Sequence, residues 1–274
     1  MEDPFADDTD WVPSALLSAR LEQAALLRLL VKKKTISVEE FLADLGKIVS
    51  DEHMYSVRQF VAQSEPQLRG GRWHIGGAAA TDELGRRLSL GPDDLVLDIG
   101  CGCGGPARQI AETFSCRVIG LDYRPMRIIE AVLRTASLGL TSRVSFQVGE
   151  GEHLPFEDET FDAVMSQAAC NWIADKVGLI RETFRVLKPQ GRLGFECEAL
   201  TEKGARHEGN ESPELFRALA WQQLLGTSGF AEVEIEEMWE ESRRFFPGGP
   251  EREQIDQGER VNVRMIARKL RVEE

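Results

Sequence analysis

The chain has 274 residues, 42% of them hydrophobic and 29% charged, with a formal net charge of −13 at pH 7. That length holds one large domain, or a domain with an accessory segment. The acidic balance excludes a general affinity for nucleic-acid phosphates or an anionic membrane, and no apolar run approaches the roughly 20 residues that span a bilayer. The acidic start lacks the basic and apolar regions of a signal peptide, so a cytoplasmic protein is expected. Five cysteines (Cys101, Cys103, Cys116, Cys170, Cys197) are an odd set without zinc-site spacing. They read as reduced thiols, and no metal site is expected.

In chain order, residues 1–13 form an acidic lead with no packing pattern and are expected to be disordered. Residues 14–65 read as a helical accessory lobe. Over 14–31 Leu17, Leu21, Ala24, Leu27 and Leu30 recur at helical spacing, and Lys32, Lys33 and Lys34 suit the helix C-terminus. A second helix over 35–49 starts on a capping box of Ser37 and Glu40, and a third covers 55–63. A linker at 66–71 precedes the main domain, 72–274. Trp73 and His74 stand beside Gly76 and Gly77, which offers a hinge for a lid, and a helix follows over 78–88.

The main domain is organised around LVLDIGCGCGGPAR at 95–108. The apolar run 95–99 reads as a buried parallel strand. It breaks into glycines and resumes as a helix near Gly104 with Pro106 in its first turn, a cradle for a polar or anionic ligand. Gly100, Gly102 and Gly105 fit the dinucleotide spacing G-x-G-x-x-G, whereas Gly100, Gly102 and Gly104 fit D-x-G-x-G of S-adenosylmethionine (AdoMet) sites. Asp98 separates the two. A carboxylate there suits the cationic methionine end of AdoMet and would repel a pyrophosphate. A second strand, 117–122, ends in Asp122, where an acid takes ribose hydroxyls under either reading.

A helix over 125–138 and strands at 143–148 and 161–165 follow, separated by a loop carrying Glu150, Gly151, Glu152, His153, Leu154, Pro155 and Phe156. Ser166 and Gln167 close the fourth strand at the sheet edge where such folds bind ligands. A helix at 175–187, a strand at 191–198, a helix at 212–227 and strands at 231–235 and 261–268 complete the order. The expected fold is α/β: a doubly wound, Rossmann-like, mostly parallel sheet of seven strands with an N-terminal helical lobe. Between Glu196 and Glu241 twelve acids face three bases, which reads as a solvated acidic face.

These stretches, together with ETFRVLKPQGR at 182–192, resemble the class I AdoMet-dependent methyltransferases over about residues 72–268. GGPAR at 104–108 and HIGG at 74–77 look most like the branch acting on small molecules, including sarcosine and dimethylglycine, sterol and natural-product methyltransferases. The resemblance implies AdoMet as cofactor and direct displacement at its methyl carbon. It places Asp98, Gly100, Cys101, Gly102 and Gly104 by the methionine and ribose, and Asp122 and Tyr123 at the ribose side. Glu150, Gly151 and Leu154 would line the adenine, with Gln167 near the methionine end. Candidates for a general base are His74, Glu196 and Glu198; His153 and His207 are expected at the surface.

Two departures stand out. Gln190 replaces a glycine of the family's Pro-Gly-Gly turn, which Gly191 is expected to preserve. The interval between the fifth strand and the next helix is short, so the lobe at 14–63 or a second subunit of a homodimer is expected to roof the pocket. The expected partner is a small-molecule acceptor, not nucleic acid or membrane. A protein acceptor, an AdoMet-binding regulator without turnover, and more remotely a nicotinamide-dependent dehydrogenase are the alternatives.

Overall fold

The computed structural model describes residues 74–204 and 216–270. The expected lobe, linker, Trp73 and His207 lie outside those residues. The central strand, β1 (Leu95–Ile99), is the apolar run that opens the glycine motif. Its side chains are apolar toward both faces because helices cover both. Val96 packs with Leu84 of α1 (Gly77–Arg87), Leu88 at the C-terminal cap of that helix, and Ile110 of α2 (Gly105–Phe114). Leu97 and Ile99 pack on the opposite side with Leu179 and Ile180 of α4 (Lys176–Val186), a cluster that also holds Trp221 of α5 (Ala218–Thr227).

The remaining strands are β2 (Arg117–Asp122), β3 (Val144–Val148), β4 (Phe161–Gln167), β5 (Leu187–Leu200), β6 (Phe230–Glu237) and β7 (Arg260–Lys269). They lie in the order β3-β2-β1-β4-β5-β7-β6. The crossover from β2 to β3 is α3 (Pro125–Ser137), and α6 (Trp239–Phe245) and α7 (Pro250–Asp256) separate β6 from β7. The order reverses between β1 and β4, which opens the crevice at the carboxyl ends of those two strands. The glycine turn after β1 and Gln167 at the end of β4 both face it.

The sheet is mixed. β7 runs antiparallel between β5 and β6, with Glu196 paired in register to Arg264 and Glu236 to the same Arg264. The sequence pattern missed α6 and α7, which have seven residues each. An irregularity near the start of β5 also differs from expectation. Gln190, not Gly191, adopts the left-handed backbone at φ 68°. A glutamine, and not a glycine, carries the strain there. No helix among the described residues is long and apolar enough to cross a membrane.

Candidate active site

Three glycines shape the turn. Gly100, Gly102 and Gly104 have φ of 72°, 53° and 76°. A Cβ on Gly100 would meet the Ala169 methyl at 2.1 Å, and one on Gly104 would meet the Phe146 ring at 2.5 Å. Around Gly102, by contrast, a Cβ finds nothing within 4 Å. The first and last glycines are thus required by packing of the protein on itself, and the middle one faces open space at the head of α2. Hydrogen bonds from the Gly100 and Cys101 amides to the Leu121 carbonyl, at 2.7 and 3.0 Å, stitch the turn to β2.

Two acids flank it. Asp122 accepts from the Gly102 amide at Oδ2 and from the Arg124 amide at Oδ1, both at 2.9 Å. Burial pushes its carboxyl up, and these amides pull it back. Asp98 is 1% exposed, and its Oδ2 has no hydrogen-bond partner among the described residues. Burial, and then the nearby Asp122, push its carboxyl from 3.8 to about 7. A buried, unpartnered acceptor next to an open glycine cradle fits a cationic ligand group. The methionine ammonium and sulfonium of AdoMet are such groups, and the second lone pairs of Asp122 suit ribose hydroxyls.

At the end of β4, Ser166 donates to the Ile99 carbonyl at 2.8 Å, and Ala168 turns the chain with a left-handed φ of 58°. Strain in a non-glycine residue at this edge is the kind found at ligand sites. Gln167 Nε2 donates to Glu196 at 2.6 Å, and the Thr81 hydroxyl donates to Gln167 Oε1 at 3.0 Å. His74 Nε2 lies 3.1 Å from the same hydroxyl, so the structure brings His74, Gln167 and Glu196 into one buried row.

Glu196 also accepts from Arg264 Nε at 2.7 Å, and Glu198 is ion-paired with Arg260. Both carboxylates have cationic partners, which sets them apart from an uncommitted base. Of the three base candidates, His74 alone keeps neutral partners among its described contacts: the Thr81 hydroxyl and the Ile75 carbonyl.

The expected adenine residues separate in space. Glu150 and His153 are exposed and 3.7 Å apart. Gly151 lies where a Cβ would strike Ile173 at 2.7 Å. Leu154 is 5% exposed and belongs to the core with Ile99 and Leu179, its amide held by Glu182, so it backs the loop from inside. Tyr123 is half exposed beside Asp122, with its hydroxyl accepting from Arg124. Cys101 packs beneath the turn, whereas Cys103 points away to Glu130 and Arg127 on α3. All five cysteines are buried free thiols, and no metal-holding cluster of three or more His, Cys, Asp or Glu occurs among the described residues.

Sequence reasoning missed Thr81 and Arg264. Thr81 carried a signal, a polar residue at helical spacing on the apolar face of Ala80, Leu84 and Leu88. Arg264 carried none until β7 was paired with β5.

Sheet order, glycine cradle and acid pair form a ligand-binding crevice of the doubly wound α/β type. Residues 97–195 match the family model described as Methyltransferase domain. The sterol 24-C-methyltransferase of Eremothecium gossypii is 41% identical over 119 residues, which cover 43% of this chain and 32% of that protein. The chain thus spans about a third of the length of the curated relatives it matches. Among solved structures, Haemonchus contortus phosphoethanolamine N-methyltransferase 2 in complex with AdoMet superposes with a TM-score of 0.65 at 21% identity, covering 78% of this chain and 57% of that one. The [4+2]-cyclase SpnF superposes with a TM-score of 0.62 at 22% identity, covering 78% and 97%.

Proposed function

We propose that this protein transfers the methyl group of AdoMet to a small-molecule acceptor, leaving S-adenosylhomocysteine. The observation that carries the reading is the unpartnered Asp98 carboxylate, buried against a glycine turn whose middle residue opens to space. AdoMet when bound supplies a methyl group already activated by the sulfonium. The protein's part is then alignment and exclusion of water. Asp98 faces the cationic end, Gly100, Gly102 and Gly104 let the backbone approach, and Asp122 takes the ribose hydroxyls. Glu150 and Gly151 border the adenine, and Gln167 stands by the methionine. His74 is the proposed proton acceptor. Small-molecule acceptors are supported by the names of the curated relatives, a sterol and a phosphoethanolamine methyltransferase. The free thiols support a reducing compartment such as the cytoplasm.

The lobe at 14–65, or a second subunit, is proposed to roof the acceptor side. Removing residues 1–63 should then abolish turnover while AdoMet still binds, and retained turnover would refute the roof. A second reading, AdoMet binding without methyl transfer, is favoured by the likeness to SpnF, whose printed name is that of a cyclase; a fold does not fix a reaction.

The deciding experiment incubates the full chain with methyl-labelled AdoMet and a cell extract split into small-molecule and protein fractions. Label in small molecules supports the proposal, and label in protein moves the acceptor to a macromolecule. AdoMet bound with no label in either fraction favours the second reading.

A further inference from the structure

The loop that follows β4 is pinned at several points, yet it holds one large apolar side chain out to solvent. The Ala168 amide donates to the Glu196 carbonyl at 2.8 Å, and the Trp172 amide closes a turn on the Ala169 carbonyl at 2.9 Å. Asn171 exchanges hydrogen bonds with the Glu198 backbone, donating to its carbonyl at 2.8 Å and accepting from its amide at 3.1 Å. Lys176 Nζ donates to the Asn171 and Ile173 carbonyls, at 2.9 and 2.5 Å. Cys170 belongs to the buried core, and Ile173 packs against that core. Trp172 is 72% exposed, the most exposed large hydrophobic side chain among the described residues. An indole kept in water by a fixed backbone forgoes the burial its ring offers, and it is already ordered for a ligand that covers it.

Its neighbours place it at the mouth of the crevice. Ala169 lies against the glycine turn, where a Cβ on Gly100 would meet its methyl at 2.1 Å. Ile173 lies against the loop after β3, where a Cβ on Gly151 would meet its Cδ1 at 2.7 Å. Trp172 is thus carried between the two segments proposed to hold AdoMet. The side chains exposed with it include Ala174 and, in the first turn of α4, Val177 at 59%. The charged groups nearby are engaged within the fold. Asp175 accepts from the Gly178 amide at 2.8 Å, Lys176 is buried and turned to carbonyls, and Glu198 is ion-paired with Arg260. We propose that Trp172 sets acceptor specificity, offering its ring to the uncharged, apolar body of the acceptor, a hydrocarbon or a flat ring. A phosphate-bearing acceptor would meet the Asp175 and Glu198 carboxylates here and is disfavoured. The proposal rests on the methyl transfer proposed above and names its substrate class.

The test loads the full chain with S-adenosylhomocysteine and titrates N-phenyl-1-naphthylamine, an uncharged apolar dye that brightens on leaving water. The parent should bind the dye. Trp172→Ala should weaken that binding by about tenfold or more, and Trp172→Phe should keep most of it, with S-adenosylhomocysteine affinity and melting temperature unchanged in both. A parent that binds no dye, or dye affinity that Trp172→Ala leaves unchanged, overturns the contact. An equal loss of S-adenosylhomocysteine affinity assigns Trp172 to the cofactor and also overturns it. The substrate class is read separately, by partitioning cell extract methylated with labelled AdoMet between hexane and water. Label in hexane, falling about tenfold with Trp172→Ala, supports the class. Label confined to water-soluble small molecules or to protein overturns the class and leaves methyl transfer standing. No label in either phase removes methyl transfer, and the acceptor class with it, whatever the dye shows.

Discussion

Binding of AdoMet should expel a proton from Asp98. In the ligand-free protein the carboxyl is pushed to about 7, first by burial and second by Asp122. It is then about nine-tenths protonated at pH 6, half at pH 7 and about one-tenth at pH 8. A cationic group beside Oδ2 returns it to the ordinary carboxylate range, so only the ionised fraction is competent to bind. Affinity should therefore be about tenfold weaker at pH 6 than at pH 8, close to 1.4 kcal/mol. Titration calorimetry at pH 6 in two buffers of different ionisation enthalpy should count about 0.9 protons released per AdoMet. Asp98→Asn should abolish that release, which separates it from any titration of the ligand.

The same group acts on stability. Its folded pKa lies above the unfolded 3.8, so its contribution is full below that pH and is lost as pH rises through about 7. The loss is at most roughly 4 kcal/mol. Ligand-free Asp98→Asn should consequently melt above the parent at pH 8. Affinity that is level between pH 6 and 8, with no proton release, would show that Asp98 is already ionised and that its solvation has been misjudged.

Gly102→Ala and Gly104→Ala should fail differently. At Gly102 the left-handed backbone costs about 1 kcal/mol of stability, while the new methyl in open space lowers AdoMet affinity by about ten- to a hundredfold. At Gly104 the collision with Phe146 lowers the melting temperature first. Equal melting temperatures would contradict the assignment. Arg264→Met leaves Glu196 buried without its cation and should cost roughly 3–5 kcal/mol in urea unfolding, with recovery when Glu196→Gln is added. A loss below 1 kcal/mol, which is about the worth of an exposed pair, would contradict the burial of that pair. Gln190→Gly should raise stability by about 1 kcal/mol at its left-handed position, and a lower midpoint would count against strain there.

Most of what defines the fold was legible because it is local. An apolar run marks β1, glycines mark the turn, and Asp122 sits one crossover later. The insertion of β7 between β5 and β6 was not legible, since a strand's own sequence carries no sign of which neighbours it pairs with. Once it pairs with β5, Glu196 meets Arg264 across 68 residues of sequence, and a residue that looked like a free carboxylate becomes half of an ion pair. Leu154 illustrates a subtler failure. Its place in the loop after β3 was read correctly, but side-chain direction depends on backbone geometry that spacing does not encode. His74 was found from its glycines, whereas its neighbour Thr81, 3.1 Å away, is visible only as an anomaly on an apolar helix face.

The outer strand β6 bears on assembly. Glu232, Glu234, Glu236 and Glu237 are exposed along it, partly answered by Arg87, Arg264 and Arg268 of the same molecule. Laid beside another copy, this rim would set four carboxylates against four, with the arginines already engaged. Sheet-to-sheet extension through β6 is electrostatically disfavoured. Strand pairing between copies would then fall to β3, the outer strand at the opposite edge, on the far side of the crevice between β1 and β4.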